Sequence, residues 1–166
     1  IGMGHSLGGV VSILAATKRP DLFSKLILLD PVVFKPQSWF LNFLPISIKK
    51  KLIPPAKISA KRRDIWDSKK AVYNSFRKKN VFKRFSDAVL WDFVDAGTTN
   101  MGDEQVTLTF PKVWETHIYA TAPFILERLK KLTIPIIAIK GEKSNVITSE
   151  VWKEWMSAQP NNQFLE

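Results

Sequence analysis

The chain of 166 residues contains no cysteine, which excludes disulfides, thiolate nucleophiles and thiolate metal sites together and is compatible with a reducing intracellular setting. Histidine is nearly absent as well. His5 and His117 are too few and too far apart for the usual zinc spacings, so no metal and no other cofactor is expected. No uninterrupted apolar run reaches the roughly 18 residues that a spanning helix needs. Neither an initiator methionine nor a basic-then-apolar leader stands at the start; the chain reads as beginning mid-protein and as stopping, at Gln163-Phe164-Leu165-Glu166, where a strand has just begun.

What is present is an ordinary globular composition, 45% hydrophobic and 24% charged, enough to bury one sizeable core. The net charge of +10 is unevenly placed: Pro31 to Leu132 holds 19 Lys and Arg against 9 Asp and Glu, and the remainder holds 6 of each. Gly9 to Thr17 is small and apolar nearly all round, the pattern of a helix packed on a sheet, and Lys18-Arg19-Pro20 ends it. Lys25 to Leu29 and Ile134 to Lys140 read as buried parallel strands, closed by Asp30-Pro31 and Gly141. Ser149 and Glu150 open a further helix on which Val151, Trp152, Trp155 and Met156 share a face.

Strands alternating with helices predict an α/β fold with a parallel sheet and right-handed crossovers. The roughly 100 residues from Val32 to Thr133 are far too many for a simple connection. They contain expected helices over Asp67 to Lys79 and Phe82 to Asp95 and an expected polar turn over Gly97 to Gln105, and they read as a helical cap inserted between strands. The expected organisation is an α/β core over 1–30, cap over 31–133 and core again over 134–166.

Gly4-His5-Ser6-Leu7-Gly8 fits G-x-S-x-G. In that motif a serine sits on a sharp strand-to-helix turn, and glycines two residues before and after it avoid collision with neighbouring backbone. The N–H of Leu7 is then an oxyanion donor at a helix N-terminus, whose dipole favours developing negative charge. The bland alternative is a tight-packing or phosphate-binding glycine-rich helix start, against which stands the lack of G-x-G-x-x-G or G-K-[ST].

From the Gly2-Met3-Gly4-His5-Ser6-Leu7-Gly8-Gly9 elbow, through Leu29-Asp30-Pro31-Val32-Val33, to the Lys140-Gly141-Glu142-Lys143-Ser144-Asn145 strand end, the chain resembles the α/β-hydrolase superfamily. Ala60 to Ser68 and Val106-Thr107-Leu108 leading to Pro111 and Glu115 are similar to a branch that includes fungal peroxisomal lipases and toxin-biosynthesis hydrolases. The resemblance implies a serine, acid and histidine triad in that chain order, with Ser6 the nucleophile of an esterase or lipase-like enzyme. In many members the acid follows the strand represented here by Ile134 to Lys140. Asn145 stands there, and a neutral amide cannot stabilise the imidazolium; the corresponding Asp-to-Asn change in a protease triad costs about 10⁴-fold. Asp30, at the end of the adjacent strand, is the expected acid, as in some lipases of the superfamily. Glu142 is the alternative acid, and Asp30 as a mere turn residue before Pro31 is the alternative role.

The resemblance puts the base after the strand that begins at Gln163, outside the chain. His5 is expected to pack away from the serine and His117 to lie on the cap surface or a pocket wall. The chain by itself is therefore expected to be inactive and, with its sheet edge uncovered, marginally stable. The serine argues against epoxide opening and halide displacement, which use aspartate in this superfamily. The expected substrate is a small-molecule or lipid ester, the expected compartment cytoplasmic or peroxisomal. A reading from another class is a non-catalytic protein of the same fold that binds a ligand, a membrane or a partner.

Gln37 to Pro55 sets Trp39, Phe40, Leu41, Phe43, Leu44, Ile46, Ile48, Leu52 and Ile53 around Lys49-Lys50-Lys51. It suits a pocket cover or a peripheral contact with an anionic membrane, or simply a helix docked on the main domain. Basic clusters beside aromatics, from Lys61-Arg62-Arg63 to Lys83-Arg84, resemble a single-strand nucleic-acid surface. The helical spacing of Ala71, Val72 and Phe76, and of Val81, Phe82, Phe85 and Val89, instead places the cations outward, and no nucleic acid is expected.

Overall fold

The computed structural model describes residues 1–33, 43–144 and 146–166; Trp39, Phe40 and Leu41 of the apolar segment, and Asn145, lie outside them. The chain forms two compact units, one of Ile1–Phe43 with Pro123–Glu166, the other of Leu44–Ala122.

In the first unit β1 (Gly2–His5), β2 (Leu26–Leu29), β6 (Ile136–Ile139) and β7 (Gln163–Leu165) form one sheet in the order β1-β2-β6-β7, every pair parallel. The helix α1 (Leu7–Lys18) joins β1 to β2, and α8 (Ser149–Ala158) joins β6 to β7. Small residues let α1 lie close to the sheet, and its Val10, Ile13 and Ala16 are buried with Leu26, Leu28, Ile136 and Ala138. The short α7 (Leu126–Leu129) adds Leu126 and Leu129 to this core. Thr148 caps α8, its hydroxyl accepting from the Val151 N–H at 3.3 Å. From α8, Val151, Trp152 and Trp155 are buried as expected, whereas Met156 is exposed: it follows Trp155 directly, about 100° further round the helix, and leaves the apolar stripe.

The second unit is not purely helical. The helices α2 (Ile46–Leu52) and α3 (Pro54–Ala60) pack on each other and on α6 (Lys112–Ala120), with the buried hydroxyls of Ser59 and Thr116 hydrogen-bonded at 2.8 Å. Beside α4 (Lys69–Arg77) and α5 (Asp87–Gly97) lies an antiparallel sheet of β3 (Ile65–Trp66), β5 (Gln105–Leu108) and β4 (Thr98–Gly102). The expected polar turn over Gly97 to Gln105 is thus one strand and the turn of a hairpin. Asp103 and Glu104 both have positive φ, 44° and 64°, as a two-residue type I′ turn requires. Ser68 and Ser86 cap α4 and α5 through Ala71 N–H and Val89 N–H. Trp66, Val72, Tyr73, Phe76, Leu90, Val94 and Val106 form the core. Val81 and Val89, assigned inward by spacing, are exposed, because the expected helix over Phe82 to Asp95 begins only at Asp87, after a short 3₁₀ turn at Asn80–Phe82.

Candidate functional site

Ser6 is the junction between β1 and α1. Its φ of 50° and ψ of −114° lie outside the wells open to a residue with a Cβ, a conformation that costs of order 1–3 kcal/mol and persists where the surroundings enforce it. Those surroundings are visible. The Ser6 N–H donates to the Leu29 carbonyl at 2.9 Å, and its own carbonyl accepts from Gly9 N–H at 3.1 Å and Val10 N–H at 3.3 Å. Its side chain makes no capping bond, so the half-buried hydroxyl is left for another partner. Leu7 begins the helix, and the first N–H groups of a helix have no intrahelical acceptor.

Two glycines make this turn possible, but they are not the pair expected. A Cβ on Gly4 would stand 2.3 Å from the carbonyl carbon and oxygen of Gly8, and one on Gly9 would stand 2.9 Å from the Pro31 Cβ. A Cβ on Gly8 would meet nothing within 4 Å. The steric requirement two residues after the serine is therefore absent here, and it has moved to Gly9, where α1 passes the residue after Asp30.

Asp30 stands one residue beyond β2, as Ser6 stands one beyond β1, and the preceding His5 and Leu29 are register partners. Asp30 too has a positive φ, 45°, and its N–H donates to the Ile139 carbonyl at 2.7 Å, so adjacent strands fix both positions. The Ser144 hydroxyl donates to Asp30 Oδ2 at 2.6 Å. Ser144 is itself held by its N–H to the Gly141 carbonyl at 2.8 Å and by the Val146 N–H to its Oγ at 3.1 Å. Asp30 Oδ1 is buried without a hydrogen-bond partner among the described residues. A buried unpaired carboxylate oxygen is costly, and this one is available to an N–H donor. Glu142, the alternative acid, is exposed. Sequence reasoning missed Ser144; the only signal was its place in the loop after the β6 strand.

His5 is exposed on β1 and His117 is exposed on α6 of the second unit; among the described residues no hydrogen bond joins Ser6 to either. No group of three His, Cys, Asp or Glu side chains that could hold a metal occurs among the described residues. None of their helices is long and apolar enough to cross a membrane. The second unit contains a cavity of about 380 Å³, floored by Phe76, Phe82 and Phe93 and edged by the Arg62–Glu115 ion pair at 2.6 Å. Lys79 also lines it, its amine held below the ordinary lysine range by burial first and by the charge of Arg62 second, partly opposed by Glu115.

A serine in a strained strand-to-helix turn, ahead of an all-parallel sheet whose next strand ends in a carboxylate, is the arrangement expected of the α/β-hydrolase fold. Comparison with known proteins agrees. Residues 2–105 match the model of the Esterase family, described as "Putative esterase", and the chain belongs to that family within the α/β-hydrolase superfamily. It is 30% identical over 162 residues, 96% of its length, to the "Uncharacterized hydrolase YugF" of Bacillus subtilis, of which it spans 54%. A 31-residue stretch, 19% of the chain and 10% of the relative, is 55% identical to "Monoglyceride lipase" of Rattus norvegicus. Among solved structures, the peroxisomal alpha-beta-hydrolase Lpx1 of Saccharomyces cerevisiae superposes with a TM-score of 0.72 at 21% identity, over 99% of this chain and 44% of that one. The esterase Rv0045c of Mycobacterium tuberculosis does so with 0.68 at 17% identity, over 99% and 50%. The chain thus spans about half the length of these relatives, the short lipase match apart, and the structural likenesses establish the fold.

Proposed function

We propose that the whole protein is a serine hydrolase that cleaves a carboxylic ester, of a small molecule or a lipid, through an acyl-enzyme on Ser6. The observation that carries this reading is the backbone of Ser6: a non-glycine residue at φ 50° between a strand and a helix, with a hydroxyl that does not cap the helix and has no hydrogen bond among the described residues. Strain of this kind is kept where a side chain must be presented. In the reaction Ser6 Oγ attacks the ester carbonyl and gives its proton to an imidazole, which passes it to the departing alcohol. Water then repeats the attack in reverse, releasing the acid and restoring the serine. The Leu7 N–H is one donor to the oxyanion, worth about 3 kcal/mol in comparable sites.

Asp30 fits the role of orienting acid. Ser144 occupies Oδ2 and leaves the buried Oδ1 to accept from the imidazole Nδ1–H, which fixes the tautomer that can receive the serine proton. Neither His5 nor His117 is bonded to Ser6, so this reading takes the imidazole from elsewhere in the whole protein. Hydrolysis of short-chain nitrophenyl esters by the whole protein is the test. Turnover abolished in Ser6→Ala supports the reading; turnover retained in that variant, or none in the wild type across a panel of chain lengths, refutes it and leaves the non-catalytic alternative.

A further inference from the structure

From α2 and α3 we infer a docking surface for an anionic lipid bilayer, independent of the proposed chemistry. Over Leu44 to Arg63 the sequence holds seven cations, Lys49, Lys50, Lys51, Lys57, Lys61, Arg62 and Arg63, and no acidic residue. Of the unit's acidic groups, Asp95 pairs with Lys69, Asp87 with Arg77 and Asp64 with Lys112. Glu115 neutralises Arg62. Among the described residues Lys50, Lys51, Lys57 and Lys61 have no ion pair.

The apolar side chains among these cations point outward. No residue of α2 is buried; Ile46, Ile48 and Leu52 are 37%, 42% and 59% exposed, and Ile58 on α3 is 66% exposed. Ile48 and Leu52 are one helical turn apart and so share a face. The opposite side of α3 is accounted for, since it packs on α6 through Ala56, Ser59 and Thr116, all buried, and α2 lies against both helices. Aliphatic side chains ringed by unpaired lysines match a bilayer surface, where the former enter the acyl boundary and the latter meet anionic headgroups. Single-stranded nucleic acid would be met instead by ring stacking, and Leu44 to Arg63 contains no aromatic residue.

The experiment is vesicle flotation with the whole protein, using phosphatidylcholine alone and phosphatidylcholine with 30% phosphatidylserine. The wild type is expected to float with the anionic vesicles and not with the neutral ones, and to bind less as salt rises. Lys50→Ala/Lys51→Ala should bind roughly 30-fold more weakly, from about 1 kcal/mol per cation near such a surface. Ile48→Ser/Leu52→Ser should weaken binding while leaving the salt dependence intact; both pairs replace side chains outside the core, and an unchanged thermal transition confirms folding. Absence of flotation by the wild type overturns the inference. So does binding indifferent to Ile48 and Leu52 together with equal retention of a single-stranded oligonucleotide, which would mark a general polyanion surface.

Discussion

Alanine placed at Gly4 and at Gly8 should have opposite effects, although the two positions flank Ser6 symmetrically. At Gly4 the new Cβ would lie 2.3 Å from the Gly8 carbonyl group and 2.6 Å from the Gly9 nitrogen. These are backbone atoms at the start of α1, so no side chain can swing aside. Relief to ordinary contact requires the first turn of the helix to retreat by about 1 Å, carrying the Leu7 N–H with it; a displacement of that size costs on the order of 10²-fold in rate at a catalytic centre. Overpacking of this kind also lowers stability by about 1–3 kcal/mol. At Gly8 the Cβ meets open space within a helix, so Gly8→Ala should gain about 0.5–1 kcal/mol and leave the rate nearly unchanged. Urea denaturation of the whole protein, beside kcat on a nitrophenyl ester, measures both. Equal damage from the two substitutions, or a harmless Gly4→Ala, would refute this account of the turn.

Asp30→Asn should lower kcat by up to about 10⁴-fold with little change in KM, since the amide presents the wrong partner to the imidazole. Ser144→Ala should lower kcat by about tenfold, one neutral hydrogen bond, and Ser144→Thr should restore most of it; a kcat equal to wild type in Ser144→Ala would remove its orienting role. Trp155→Ala should cost about 3–5 kcal/mol in chemical denaturation, because the ring is fully buried against Trp152 and Phe164 and its Nε1–H donates to Gln159 at 2.9 Å. The Asp87 carboxyl is held below the usual range by the Tyr73 hydroxyl first and the Arg77 charge second. Its stabilisation is therefore full above the unfolded value of about 3.9 and is lost as pH falls through the lower folded value. Asp87→Asn should be less stable than wild type at pH 7, by less in high salt because the group is exposed, and the gap should close below about pH 4; a gap unchanged at pH 2 would contradict this.

The parallel sheet, α1, α8 and the strand-to-helix turn at Ser6 were legible because each rests on a local rule: apolar runs for strands, small residues or a shared apolar face for packed helices, and G-x-S-x-G for the turn. What stayed hidden depends on contacts between distant segments. Ser144 reaches Asp30 from 114 positions away, and only the sheet order brings β2 beside β6. The hairpin of β4 and β5 escaped notice because Asp103-Glu104 lacks the glycine that usually marks such a turn. The interchange of Gly8 and Gly9 could not be read from the motif, since it depends on where Pro31 runs relative to α1.

The proposed chemistry reduces to whether Ser6 is a nucleophile. Treatment of the whole protein with a fluorophosphonate, followed by peptide mass spectrometry, tests it most directly. The account predicts a single phosphonyl adduct on the peptide carrying Ser6, absent after Ser6→Ala and formed far more slowly in Asp30→Asn. An adduct on another residue, or none on folded wild-type protein, would contradict it.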